Sequence, residues 1–119
     1  MYKKSKMNLV ISNTNDGKYN CIYEDDNFTL YDKLKITNSA NSEEQRNKIQ
    51  LCCIASILFA EGVPFLHMGV EFNRSKFMVE NSYNSSDDIN MIRWENIDKY
   101  SKNIKAVKDF IDIRKKIIE

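Results

Sequence analysis

The stretch that most restricts the fold runs from Ser42 to Gly69, "SEEQRNKIQLCCIASILFAEGVPFLHMG". Ser42 with Gln45 three residues on is a capping-box signature, and Glu43 and Glu44 suit the positive end of a helix dipole. Ile49, Cys52, Cys53, Ser56, Ile57 and Ala60 keep helical spacing, and Gly62 is placed to stop the helix. Pro64 then opens a compact apolar run closed by Gly69. A strand tolerates a missing donor at its start, so this run reads as a buried strand. A capped helix leading within a few residues into an apolar strand is half of a βα alternation.

The rest of the chain supplies the other half. "SNTNDGK", residues 12–18, is a turn-rich lead-in, and residues 1–18 together read as a flexible N-terminal segment. Tyr19 to Tyr23 is β-prone, and an acidic triplet, Glu24, Asp25 and Asp26, stands directly behind it. Adjacent carboxylates repel and raise each other's pKa, so the triplet calls for a reason. From Val70 to Asn90 the chain is polar and loop-like, a length that in a compact domain points to function or disorder. After a short turn around Trp94, the end carries an amphipathic helix. Its core-facing stripe is Ile104, Val107, Ile111 and Ile118, with Phe110, Ile113 and Ile117 beside it.

Strand, acidic loop, helix, strand, polar loop, helix is the order of two βα units, which implies an α/β fold with parallel strands and helices packed outside. Such sheets place ligand chemistry at the carboxyl ends of their strands. Both polar clusters fall there: the acids after the first strand, and His67, Glu71, Arg74 and Tyr83 at or after the second.

Composition excludes other classes. With 119 residues, 42% apolar side chains and 29% charged ones, the chain reads as one soluble unit. A net charge of +1 with dispersed Lys and Arg gives no electrostatic footprint for nucleic acid. Leu9 to Ile11 is too short for an export signal and Ile54 to Ala60 too short for a membrane span, so the expected location is cytoplasmic. Three cysteines, two of them adjacent, make neither a disulfide framework nor a zinc site. Cys52 and Cys53 read as small apolar fillers of a helix. No cofactor motif appears. Calcium held by the acidic triplet with Asp87 and Asp88 is a minor alternative, because hard cations want carboxylate oxygens.

Four blocks together carry a family resemblance: "NCIYEDDNFTLYDKL", "SEEQRNKIQLCCIASILFAEGVPFLHMGVEFNRSK", "ENSYNSSDDINMIRW" and "KDFIDIRKK". In this order and spacing, with Gly-x-Pro-x-x-x-x-Gly-x-Glu over residues 62–71, they resemble the C-terminal quarter of the catalytic barrel of type I pullulanases. These are debranching glycoside hydrolases of the α-amylase family. The resemblance implies a partial (β/α)8 barrel over residues 19–119, the seventh and eighth βα units. It also implies a parent activity on α-1,6 branch linkages of glycogen- or starch-type glucans.

By residue match, Asp26 takes the place of the family's third catalytic carboxylate, which holds sugar hydroxyls and favours the oxocarbenium-like transition state. Asn27 follows it. Asp25 stands where the family carries His. An ionised Asp only accepts where a His donates, and an unmatched buried polar partner costs on the order of 1–3 kcal/mol. Tyr31, Val70 and Arg93 replace the family's Trp, Gln and Asp. Glu71, Tyr83, Asn84, Asp87 and Asn90 are the further sugar-contact candidates: Tyr83 to stack on a ring, Asn84, Asp87 and Asn90 to bond hydroxyls, and Glu71 close by and paired with Arg74. His67 reads as a core histidine, and Trp94 as packing with Ile92 and Ile97.

Retaining glycosidases need a nucleophile and a general acid about 5–5.5 Å apart. The resemblance puts both after the fourth and fifth strands, outside these residues. A whole barrel takes about 250 residues. The chain alone is therefore expected to be an inactive fragment of such an enzyme, open to self-association or pairing with a complementary fragment; the alternative is a non-catalytic glucan-binding or barrel-completing module.

Overall fold

The computed structural model describes residues 12–13, 19–21 and 28–118, with side chains from 28 to 117. Three short strands form one sheet in the order β1 (Ser12–Asn13), β2 (Tyr19–Cys21), β3 (Val63–Phe65). β1 runs antiparallel to β2, whereas β2 and β3 are parallel, with Tyr19 opposite Val63 and Cys21 opposite Phe65. The remaining described elements are helical: α1 (Leu30–Thr37), α2 (Glu43–Phe59), a 3₁₀ turn (Val70–Phe72), α3 (Asp87–Asn90), α4 (Asn96–Lys99) and α5 (Ser101–Ile118).

Local chemistry sets these boundaries. Thr29 caps α1 by accepting from the Asp32 amide at 3.1 Å. The capping box of α2 is complete: the Gln45 amide donates to Ser42 Oγ at 3.1 Å, and the Ser42 amide to Gln45 Oε1 at 2.9 Å. α2 stops at Phe59 with Ala60 as its cap, two residues before Gly62, which adopts φ +104° in the turn towards β3. No basic residue sits in the last turn of α2. Arg114 of α5 does that work from across the fold. Its guanidinium donates to the carbonyls of Leu58 (2.6 Å), Ala60 (3.3 Å) and Gly62 (2.9 Å), acceptors that a helix end otherwise leaves unmatched.

The apolar centre is helix against helix. Leu30 and Leu34 of α1, Cys53, Ile54, Ile57 and Leu58 of α2, Val70 and Val107 of α5 form one buried cluster, edged by Ile49, Leu51, Leu66, Phe110 and Ile111. Ile54 and Ile57 are fully buried, and burying such a side chain is worth about 1.5–3 kcal/mol.

Several sequence expectations need correction. The apolar run after α2 is a strand only over Val63–Phe65, and it is not buried: Val63 is 51% and Phe65 48% exposed. Among the described residues it pairs with β2 alone, at the edge of the sheet, which leaves these side chains about half in solvent. His67 lies beyond the strand and half-buried, its ring edge-on to Phe65 at 5.5 Å, rather than in the core. The stripe of α5 is core-facing at Val107 and partly at Phe110 and Ile111, but Ile113 and Ile117 are exposed. Trp94 packs on buried Phe72, with ring centroids 5.9 Å apart, yet keeps 58% of its surface exposed, so it forms no satellite core with Ile92 and Ile97. Ser12–Asn13 of the lead-in is a strand. The first unit also holds a helix beyond the expected one, α1, ahead of α2.

The two adjacent cysteines part company on α2. Cys53 faces the core and Cys52 the solvent. Burial, and then the neighbouring Cys52, push the Cys53 thiol up to about 11 from 9.0. The fold therefore favours the protonated thiol. Stability is unaffected below pH 9 and falls as pH rises from 9 to 11, where only the unfolded chain gives up the proton. At pH 8, mass spectrometry after iodoacetamide treatment of the native protein is expected to find Cys52 alkylated and Cys53 unmodified until the chain is unfolded.

Candidate functional site

The parallel pair fixes where the two polar segments begin. Cys21 and Phe65 are opposite one another at the carboxyl ends of β2 and β3, so the chain leaves both strands at one rim. Asp25, Asp26 and Asn27, the first set of candidates, lie outside the described residues. The second set lies in the segment after β3.

That segment, expected as an irregular loop, is built. Gly69 (φ +91°) turns the chain sharply: its carbonyl accepts from the amides of Phe72 (3.1 Å) and Arg74 (3.0 Å). A methyl group at residue 69 would stand 3.1 Å from the Arg74 Cβ, so a side chain there is both strained and crowded. The 3₁₀ turn buries Val70 and Phe72 and leaves Glu71 half-exposed, with no hydrogen bond or ion pair among the described residues. The expected partner of Glu71, Arg74, instead donates to the Asn90 carbonyl at 2.9 Å.

A buried carboxylate anchors the next stretch. Asp32, on the first turn of α1, is fully buried. It accepts from Ser75 Oγ (2.5 Å), from the Lys76 amide (2.8 Å) and from the Met78 amide (3.2 Å), and Ser75 Oγ accepts in turn from the Phe77 amide at 3.0 Å. Charge-assisted bonds of this kind are about twice as strong as neutral ones. The turn they hold carries two successive non-glycine residues in the left-handed region, Phe77 at φ +52° and Met78 at φ +67°. A bulky residue there is an outlier that survives only where neighbours over-determine it. Asp32 thus ties the helix that follows β2 to the segment that follows β3.

A second lock is made of amides. Asn73, itself left-handed at φ +63°, accepts from Gln50 at 2.8 Å and donates to Asn47 Oδ1 at 3.2 Å. Asn47 and Asn103 exchange bonds of 2.9 and 2.6 Å. Gln50 also donates to the Val70 carbonyl at 3.0 Å. This buried network joins the 3₁₀ turn to α2 and α5 without any charge.

The remaining candidates divide. Tyr83 is 84% exposed, and Asn84 and Asp87 are also exposed, with Asp87 opening α3. These three side chains are open to a ligand. Asn90 is turned inward: its Oδ1 accepts from Ser82 Oγ at 2.7 Å, and its Nδ2 donates to the carbonyls of Ser82 (2.8 Å) and Ser85 (3.2 Å). Its amide braces the loop rather than facing outward, because an asparagine eight residues on closes this turn. Among the described residues no three His, Cys, Asp or Glu side chains converge to hold a metal, and no helix is long and apolar enough to cross a membrane.

Tyr31 donates to Glu43 Oε1 at 2.9 Å and carries the Lys35 ammonium over its ring at 4.6 Å. Burial first, then the Glu43 carboxylate, raise its pKa well above the usual phenol range. Arg93 donates to the Asp88 carbonyl and lies over the Phe77 ring, 5.1 Å from its centroid.

Sequence reading missed Asp32, the Asn47–Asn73–Asn103 network and Arg114. A signal existed for Asp32 alone, since Thr29-x-x-Asp32 has the form of a capping box.

The described residues set helices around a short sheet in which β2 and β3 run parallel, and known proteins share the fold. No protein-family model matches the chain. Pullulanase from Bacillus subtilis (strain 168) is 36% identical over 96 residues, 81% of this chain and 13% of that protein. Chloroplastic pullulanase 1 of Arabidopsis thaliana is 34% identical over 85 residues, 71% of this chain and 8% of that protein. Among solved structures, pullulanase from Anoxybacillus sp. LM18-11 complexed with maltotetraose superposes with a TM-score of 0.79 at 39% identity, over 82% of this chain and 14% of that one. The chain is a pullulanase homologue, and it spans about an eighth of the longer-matched curated relative.

Replacing Asp32 by Asn puts an NH2 group among donors. Urea unfolding is expected to show a loss of about 2–4 kcal/mol, since breaking a charged hydrogen bond in a buried site leaves partners unmatched. Hydrogen exchange is expected to speed up at the amides of Lys76 and Met78 first.

Proposed function

We propose that residues 19–119 are part of the catalytic barrel of a pullulanase-type glycoside hydrolase of the α-amylase family, contributing its seventh and eighth βα units. The parent reaction is hydrolysis of α-1,6 branch linkages in glycogen- or starch-type glucans. Asp26 is the carboxylate that steadies the oxocarbenium-like transition state by holding sugar hydroxyls, with Asp25 and Asn27 beside it. Tyr83, Asn84, Asp87 and Glu71 line the facing wall.

One observation carries this reading above the homology itself. β2 and β3 are parallel and end together, so the segment that contains Asp26 and the segment that contains Tyr83 start from the same rim. The Asp32 clamp then holds the second segment to the helix next to the first. The Anoxybacillus relative bound maltotetraose, a short α-glucan, which supports the same ligand class here. The nucleophile and general acid belong to other barrel units, so the 119 residues bind without cleaving, and a cytoplasmic location suits a glycogen-type substrate.

A second reading draws on the exposed strand. β3 is the outer strand of the described sheet, with Val63 and Phe65 about half-exposed. Open edges of this kind invite pairing with another chain, as a barrel-completing module requires.

Isothermal titration of the purified chain with maltotetraose is expected to show weak binding, reduced about tenfold in Asp26→Ala and in Tyr83→Ala, with no release of reducing sugar from pullulan. Absence of binding by the unaltered chain sinks the glucan reading. Light scattering on the same samples is expected to give a mass above the 14.0 kDa monomer, and a stable monomer overturns the second reading.

A further inference from the structure

The turn at Phe77 and Met78 is unexplained by folding alone. Two bulky residues hold consecutive left-handed conformations, and the clamp that enforces them does not use their side chains: Asp32 bonds only the backbone and Ser75. Glycine fits such backbone without strain, whereas any other residue costs stability there. The side chains are not recovered by burial either. Phe77 is 54% and Met78 43% exposed. Strain kept at a position where the side chain adds little to the core indicates that the side chain is wanted outside.

The surroundings indicate for what. The Arg93 guanidinium lies over the Phe77 ring at 5.1 Å from the centroid, and Arg93 is itself tethered to the Asp88 carbonyl next to Asp87. An aromatic ring offers an apolar face to the C–H face of a pyranose, and a guanidinium, with five N–H donors in a fixed fork, offers bonds to the hydroxyls at its edge. A ring whose backbone is already fixed loses little freedom on binding.

We propose that Phe77, backed by Arg93, is a stacking platform for a glucose unit of an α-glucan, additional to Tyr83. This rests on the glucan-binding reading above. Asp32 is its positioning residue: it touches no sugar, but it fixes the turn that presents the ring.

Titration with maltotetraose and maltohexaose across four variants tests the idea. Phe77→Gly removes the ring and relieves the strained backbone together. It is expected to weaken maltohexaose binding about fivefold or more while melting no lower than the unaltered chain. Phe77→Tyr keeps the platform and restores binding. Arg93→Ala is expected to weaken binding two- to threefold, and Tyr83→Ala to weaken it independently of Phe77. Unchanged binding in Phe77→Gly while Tyr83→Ala weakens it overturns the platform and leaves the glucan reading standing. A steep fall in melting temperature in Phe77→Gly also overturns it, because the ring then serves the fold. No binding by the unaltered chain removes both.

Discussion

One buried carboxylate organises the segment that follows β3. Among the described residues no cationic group donates to Asp32. It is satisfied by a hydroxyl and two backbone amides that belong to residues 43–46 positions later in the chain. Withdrawing a carboxylate from water is expensive, so full hydrogen bonding is a condition for its burial. Meeting that condition forces the chain after β3 to come to the first turn of α1. The segment after β3 therefore has a shape because the carboxylate needs donors.

The amide network does for the near end of that segment what Asp32 does for its middle. Asn73 sits at the point where the chain reverses after the 3₁₀ turn, and Gln50, Asn47 and Asn103 hold it from two long helices. Further on, Asn90 and Arg74 close the loop on itself. A stretch with the composition of a mobile connector is thus fastened at three places, which leaves Tyr83, Asn84 and Asp87 as outward groups on a fixed frame. Sites built this way favour binding because little order remains to be gained.

What could be read from the residues follows from range. The capping box at Ser42, the βα order and the parallel strands were legible because each rests on local spacing or on the order of elements. The clamp at Asp32 and the reach of Arg114 to residues 58–62 were not, because each joins positions more than 40 apart, which neither periodicity nor propensity can encode. The exposure of Val63 and Phe65 escaped notice for the opposite reason: an apolar strand reads as buried whether or not anything covers it, and among the described residues both stay about half-exposed. Asn90 and Tyr83 looked alike as polar loop residues, and only the hydrogen bonds of Asn90 separate a brace from a surface group.

Arg114 carries a consequence for how the molecule is made. The carbonyls that end α2 wait for a guanidinium encoded more than fifty residues downstream. Until that part of the chain has emerged from the ribosome, the Leu58, Ala60 and Gly62 carbonyls lack their guanidinium donor. The turn that leads from α2 into β3 is therefore sealed late in synthesis, and a nascent chain stalled before α5 would leave those carbonyls open.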